Sequence, residues 1–254
     1  MDTGGLSIWA GGLDAVGLGV FAATIVAAAV LRAFSGFGFA LAAMPLLVLV
    51  IEPVHAVVLC GFLSVAGGLR SARNSMAHCD RGLLKPLLIG SLIGTPIGIA
   101  LLDHLPADTM KFLIGFGVLG SAVLLWRTGI MEGVRRLYAL PVGFSAGLLG
   151  GALAIPGPPI IVFLLGTERD PKRARATLMA FFTLTSLLSI AGYVVAGLVD
   201  GTSLVLFVWA LPCLLLGDWI GFGLFERHGS AHYRRVALFV LAAIGVGAVI
   251  NALR

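Results

Sequence analysis

A chain of 254 residues that is 59% apolar and 11% charged, with a mean hydropathy of +1.06, is not a water-soluble domain, since those run about 45–50% apolar and ~25% charged. Disordered, collagenous and disulfide-scaffold classes are excluded by the same numbers. The net charge of +5 sits in short loops, so it marks membrane orientation and not a nucleic-acid surface.

Charge-free stretches run 15–31, 33–51, 53–69, 86–102, 112–126, 137–167, 176–199, 201–217 and 236–253. About 20 mostly apolar residues cross a bilayer, with a range of ~17–25. The N-terminal segment carries Asp2 and Asp14 in place of a basic stretch, so an external start without a cleaved leader is expected. Residues 15–51 are too long for one span and contain Arg32-Ala-Phe-Ser-Gly-Phe-Gly near their middle. The next span ends at Arg70 and Arg73, ahead of Arg81 and Lys85, and spans at 86–102 and 112–126 follow. Then come Arg127, Arg135 and Arg136, a charge-free run of 31 residues, and Arg169, Lys172, Arg173 and Arg175. Basic loops mark the cytoplasm. Both ends of 137–167 are basic, so this run reads as an in-and-back hairpin. Glycine and proline at 150, 151, 156, 157, 158 and 159 fall where it would turn. A last basic loop, with Arg227, Arg234 and Arg235, separates spans at 201–217 and 236–253.

The chain repeats itself. Gly94-Thr95-Pro96-Ile97-Gly98 matches Gly217-Asp218-Trp219-Ile220-Gly221 at an offset of 123, and Gly36–Pro45 resembles Gly150–Pro159 at an offset of 114. The expected fold is an all-α polytopic membrane protein of two inverted-topology repeats. Each is a broken-helix or re-entrant hairpin followed by three transmembrane helices. The repeats are residues 1–127 and 137–254, joined by a cytoplasmic linker at 128–136. An odd number of crossings per half turns the second half upside down, and matching interrupted segments then point to a central binding site.

Irregular backbone at membrane depth must be buried in protein or line a wet cavity. Helix N-termini carry free N–H groups and partial positive charge, a basis for anion binding. The candidates are Ser35, Gly36, Phe37 and Gly38 in the first half and Gly150, Gly151, Pro156, Gly157 and Pro158 in the second. The competing reading is glycines that only permit tight helix packing.

The run Gly147-Leu-Leu-Gly-Gly-Ala-Leu-Ala-Ile-Pro-Gly-Pro-Pro-Ile resembles the glycine-rich segment of the sulfite exporter TauE/SafE family. Phe34-Ser-Gly-Phe-Gly-Phe-Ala…Pro45-Leu-Leu is similar to its partner in the first half, although Phe37, Phe39 and Ala40 interrupt what is often a triple-glycine run. Arg70…Asp80-Arg81-Gly82 with Gly94-Thr-Pro-Ile-Gly-Ile, and Arg175-Ala-Thr-Leu, fit the same family. The resemblance covers roughly 14 to 250. It implies export of sulfite, organosulfonates or related small anions across the bacterial inner membrane.

After the second hairpin, Arg175, Met179, Phe182, Thr183, Ser186, Ser189 and Tyr193 follow three- and four-residue steps and share one helix face. Such a polar stripe faces a bundle interior or cavity, so Arg175, Thr183 and Ser186 join the substrate-binding candidates. A guanidinium suits an oxyanion, and the plain alternative is an arginine snorkelling at the cytoplasmic edge. Asp218, the one acid well inside an apolar stretch, is a coupling or gating candidate with its repeat counterpart Thr95 and with Arg73. Asp218 carries either a proton or a structural hydrogen bond. Cys60, Cys79 and Cys213 form no framework, and His78-Cys79-Asp80 has no partner motif, so neither metal nor cofactor is expected.

The expected function is secondary transport of a small anion by alternating access within the bilayer, with protons or the membrane potential as drive. The alternatives are an anion channel, a non-transporting scaffold and an intramembrane enzyme. No Walker loop or H-E-x-x-H motif is present.

Overall fold

The computed structural model describes residues 14–36, 39–106, 109, 112–113, 136–224 and 226. Phe37, Gly38, the basic residues at 127, 135, 227, 234 and 235, and almost all of the spans expected at 112–126 and 236–253 lie outside the described residues. The described residues are helical, with no strand, and six helices are long and apolar enough to cross a membrane.

The helices are α1 (Ala15–Ser35), α2 (Phe39–Leu47), α3 (Pro53–His78), α4 (Arg81–His104), α5 (Ala139–Leu153), α6 (Gly157–Thr167), α7 (Pro171–Val195) and α8 (Gly201–Leu224). Their starts are written in the sequence. Asp14, Asp80 and Asp170 accept first-turn N–H groups of α1, α4 and α7, and proline opens α3 and α7. At 1.5 Å per residue, α2 and α6 are only about 14 and 17 Å long, too short to cross.

Both interruptions are left-handed caps. α1 stops at Gly36, with φ +81°, and α5 stops at Ala154, with φ +55°. Glycine adopts that conformation freely, whereas alanine there is uncommon and needs surrounding structure to hold it. Ser35 and Leu153, Phe39 and Gly157, and Pro53 and Pro171 are each 118 residues apart. The breaks therefore correspond one helical turn further along than the glycine match at 114. The partner of Gly36 is Ala154, not Gly150.

Glycines decide which helices touch. On α4, a Cβ at Gly90, Gly94 or Gly98 would strike the backbone of Leu140, Phe144 or Leu148 on α5. On α5, Gly143, Gly147 and Gly151 sit equally close to Leu87, Ser91 and Thr95 of α4. This is the small-residue packing that lets membrane helices approach at backbone distance. Gly217 and Gly221 of α8 lie likewise on Val26, Ala29, Val30 and Ala33 of α1. In both pairs the residue numbers rise together, so α4 runs parallel to α5 and α8 parallel to α1. Across α3 and α7 the numbers run oppositely, with Gly61 against Tyr193 and Gly68 against Thr183.

The helix ends agree. Asp80, capping α4, reaches Arg136 before α5 at 2.8 Å and Arg173 in the first turn of α7 at 3.6 Å. Arg173 also meets Glu168, just past α6. The segment from 136 to 168 therefore leaves and returns to one face of the bundle. At the opposite end His55, in the first turn of α3, pairs with Asp200 ahead of α8 at 3.1 Å. Burial alone would raise both carboxyls. The N–H groups of Leu83 and Gly82 and the two arginines hold Asp80 below its ordinary range, and the Ser203 N–H with His55 bring Asp200 to about 2. Both then favour folding above about pH 4, a contribution lost as pH falls through their folded values.

Candidate functional site

The two interruptions face one cavity. Gly36, Phe39, Ala40 and Leu41 come from the first, and Ala154, Ile155, Pro156 and Gly157 from the second. Ser64 of α3 and Met179, Phe182, Thr183 and Ser186 of α7 close its sides, and Arg32 of α1 completes the wall. Its volume is about 50 Å³, enough for roughly three to five waters at ~10–15 Å³ each. That matches an ion of a few heavy atoms.

Two helix N-termini border this space. The first-turn amides of α2 have no partner within the helix. α6 is a poorer donor than its sequence suggests, because Pro158 and Pro159 have no N–H. Of its first-turn amides it offers that of Gly157. Gly157 also keeps this space open: a Cβ there would stand 2.8 Å from Leu41 Cδ1, the mobile end of a side chain across the cavity.

A second cavity of about 20 Å³ adjoins the first through Ser64, Ala154, Pro156 and Ser186. Cys60, Thr95, Gly147, Gly150, Ser189 and Tyr193 are among the residues that line the rest of it. The Tyr193 hydroxyl donates to the carbonyls of Gly150 and Gly151, at 3.1 and 3.0 Å, so α7 ties off the carbonyls before the second break. Thr95 Oγ1 is buried and without a hydrogen-bond partner among the described residues. The hydroxyl face of α7 thus spans both cavities, from Met179 to Tyr193.

Of the sequence candidates, Gly36, Pro156, Gly157, Thr183 and Ser186 line the main cavity, and Gly150 and Thr95 line the second. Pro158 is buried in the first turn of α6, and Gly151 is packed on Thr95 of α4. Ser35 is buried with its hydroxyl donating to Leu31 O at 2.6 Å, in the last turn of α1 and not at a helix N-terminus. Arg73 is exposed near the end of α3, away from both cavities. Phe37 and Gly38 lie outside the described residues.

Arg175 is buried against the cavity wall. Its Nε donates to Phe34 O at 3.2 Å and its Nη2 to Ala33 O, two of the last carbonyls of α1. Its guanidinium also lies 5.8 Å from the Phe222 ring of α8, within cation–π range. A Cβ on Gly36 would strike its Cγ. Arg175 thus caps the helix that ends at the cavity. Arg175→Lys keeps the charge but loses the fork that reaches both carbonyls. A charge-assisted hydrogen bond is worth ~1.5–3 kcal/mol, so the lysine variant is expected to unfold more readily by about that amount. Denaturation of the purified variant checks this, and an unfolding free energy equal to the parent's would contradict the capping role.

Sequence reasoning passed over Arg32. It is the one charged residue between Asp14 and Glu52, and it was legible only as a mark dividing an apolar run. In the structure its Nη2 bonds both oxygens of Asp218, at 2.6 and 2.7 Å, with both side chains buried. Its Nε is buried and has no partner among the described residues. Gly67 of α3 leaves room for this guanidinium, which a Cβ there would strike. Asp218, read from the sequence as either proton carrier or structural carboxylate, is thus the buried counter-ion of Arg32, a placement compatible with both roles.

Six apolar spans with two interrupted helices framing an interior cavity that holds a buried arginine and hydroxyl groups define a multi-pass membrane transport protein. The chain belongs to the sulfite exporter TauE/SafE family, whose model matches residues 20–248. A probable sulfite/organosulfonate exporter TauE of Cupriavidus necator is 25% identical over 210 residues, covering 80% of each chain. No solved structure matches the chain.

Proposed function

We propose that the protein exports a small oxyanion, sulfite or a compact organosulfonate, by alternating access around the cavity between its broken helices. The observation that carries this reading is that both interruptions, 118 residues apart, line one cavity. Family membership and the similarity to a probable sulfite/organosulfonate exporter of Cupriavidus necator support the substrate class. The cavity size favours sulfite over a long-chain sulfonate.

The inverted repeat draws support from helix directions. α3 and α7, equivalent by position, run antiparallel. The last described helix of each half, α4 or α8, lies parallel to the opening helix of the other, α5 or α1. Such an arrangement lets one half rock against the other about a fixed site. Asp218 is the candidate for coupling, because it is an intramembrane carboxylate bordering the site through Arg32. Thr95, its repeat counterpart, borders the second cavity. Arg73, exposed near the cytoplasmic end of α3, is the candidate for attracting the anion.

Purified protein in liposomes should move sulfite saturably without a partner subunit. In the same vesicles an impermeant thiol reagent should reach cysteines placed at 169 and 200 from opposite sides. Absence of sulfite movement would overturn the function, and labelling of both positions from one side would overturn the topology.

A further inference from the structure

Arg32 is the cationic side chain lining the cavity that both broken helices face, and its guanidinium is half used. The Nε and Nη2 hydrogens lie on one edge and form a fork that fits two oxygens of an oxyanion. Asp218 engages that edge through Nη2 alone, taking both carboxylate oxygens onto one nitrogen. Nε stays buried and unbonded among the described residues. A buried donor left unpaired costs free energy and needs a reason. An oxyanion accepting from Nε supplies one.

We propose that Arg32 is the side chain that takes the anion, and that Asp218 is a built-in carboxylate that holds the same guanidinium while the cavity is empty. The inference rests on the transport reading above and adds the residue that binds and the residue that competes. An anion entering beside Phe39, Gly157 and Thr183 completes the Nε–Nη2 fork. It draws Nη2 away from Asp218 as it does so. Asp218 stands on α8, and Arg32 on α1, the helix that ends at the first break. The exchange therefore loosens the α1–α8 link when substrate arrives and restores it when substrate leaves. Other charges bear on this place without filling the fork. Arg175 is committed to the carbonyls of Ala33 and Phe34, and Arg70 of α3 is exposed.

The test is sulfite binding to purified, lipid-reconstituted variants, followed by calorimetry, beside sulfite flux in liposomes. Asp218→Asn keeps shape and removes the competing charge. It should bind sulfite about tenfold more tightly than the parent, or better, and transport it more slowly. A carboxylate with only a structural role would not raise affinity when removed. The double variant Arg32→Gln/Asp218→Asn leaves no buried charge unpaired, so it should fold, and it should lose at least about tenfold in affinity. Gly67→Ala keeps both charges and displaces only the guanidinium, so it too should bind more weakly. Sulfite affinity of the double variant within about twofold of the parent would overturn the role of Arg32. An Asp218→Asn affinity no higher than the parent's would overturn the competition. A parent that moves no sulfite would instead remove the transport reading, and this inference with it.

Discussion

Leucine in place of Gly157 is expected to abolish sulfite movement while the protein remains folded and inserted. Gly157 opens α6 with its α-carbon facing α2, where a Cβ would already stand 2.8 Å from Leu41 Cδ1 and 3.3 Å from Ile161 Cδ1. Both neighbours are ends of flexible side chains, so alanine needs only a rotation, and Gly157→Ala should retain most flux. Leucine adds three more carbons. They either occupy the roughly 50 Å³ cavity or push α2 from α6. Overpacking of this kind costs ~1–3 kcal/mol, a cost that six-span packing can absorb, but either outcome removes the space the anion needs. Flux in liposomes, with the melting temperature as a folding control, measures the two effects separately. Parental flux in the leucine variant would move the site elsewhere.

What the sequence conveyed and what it withheld divide along physical lines. Spans were legible because a bilayer demands runs of about 20 apolar residues, and α3, α4, α7 and α8 fall on them. The interruptions were legible because glycine and proline cluster at 36 and at 156–159. The stop of α5 was not, because it falls on Ala154, a residue type that gives no signal of positive φ. That displaced the repeat register by one turn. The glycines divided between the two readings held open for them. Gly36, Gly150 and Gly157 border the cavities, Gly94, Gly98 and Gly151 join α4 to α5, and Gly147 does both. Sequence alone could not separate these, because both uses need the same missing side chain.

Arg32 and Asp218 illustrate the harder limit. They are 186 residues apart, and nothing in the local pattern of either names the other. Each looked like an isolated irregularity: one a mark inside an apolar run, the other a costly acid inside a span. Their pairing depends on α8 lying parallel to α1 along Gly217 and Gly221. That contact is non-local and follows from the whole fold. The stripe on α7 was legible by contrast, since its three- and four-residue spacing lies within one helix.

Asp218→Ala is expected to cost about 3–5 kcal/mol of folding free energy, the penalty for stranding a buried charge after its partner is removed. The carboxylate is fully buried and the Arg32 side chain is only 8% exposed, so solvent offers little relief. Arg32→Met/Asp218→Ala removes both charges at similar apolar volume. It should regain most or all of that loss, because an apolar replacement of a buried ion pair is often neutral or stabilising. Denaturant unfolding in lipid-reconstituted samples gives both values, and equal losses in the single and double variants would show that packing, not charge, sets the cost. Added sulfite extends the comparison. A ligand that binds only the folded state stabilises by RT ln(1 + [L]/Kd). Sulfite should therefore stabilise Asp218→Ala, whose Arg32 has lost its carboxylate, more than the parent at the same concentration, and leave the double apolar variant unmoved.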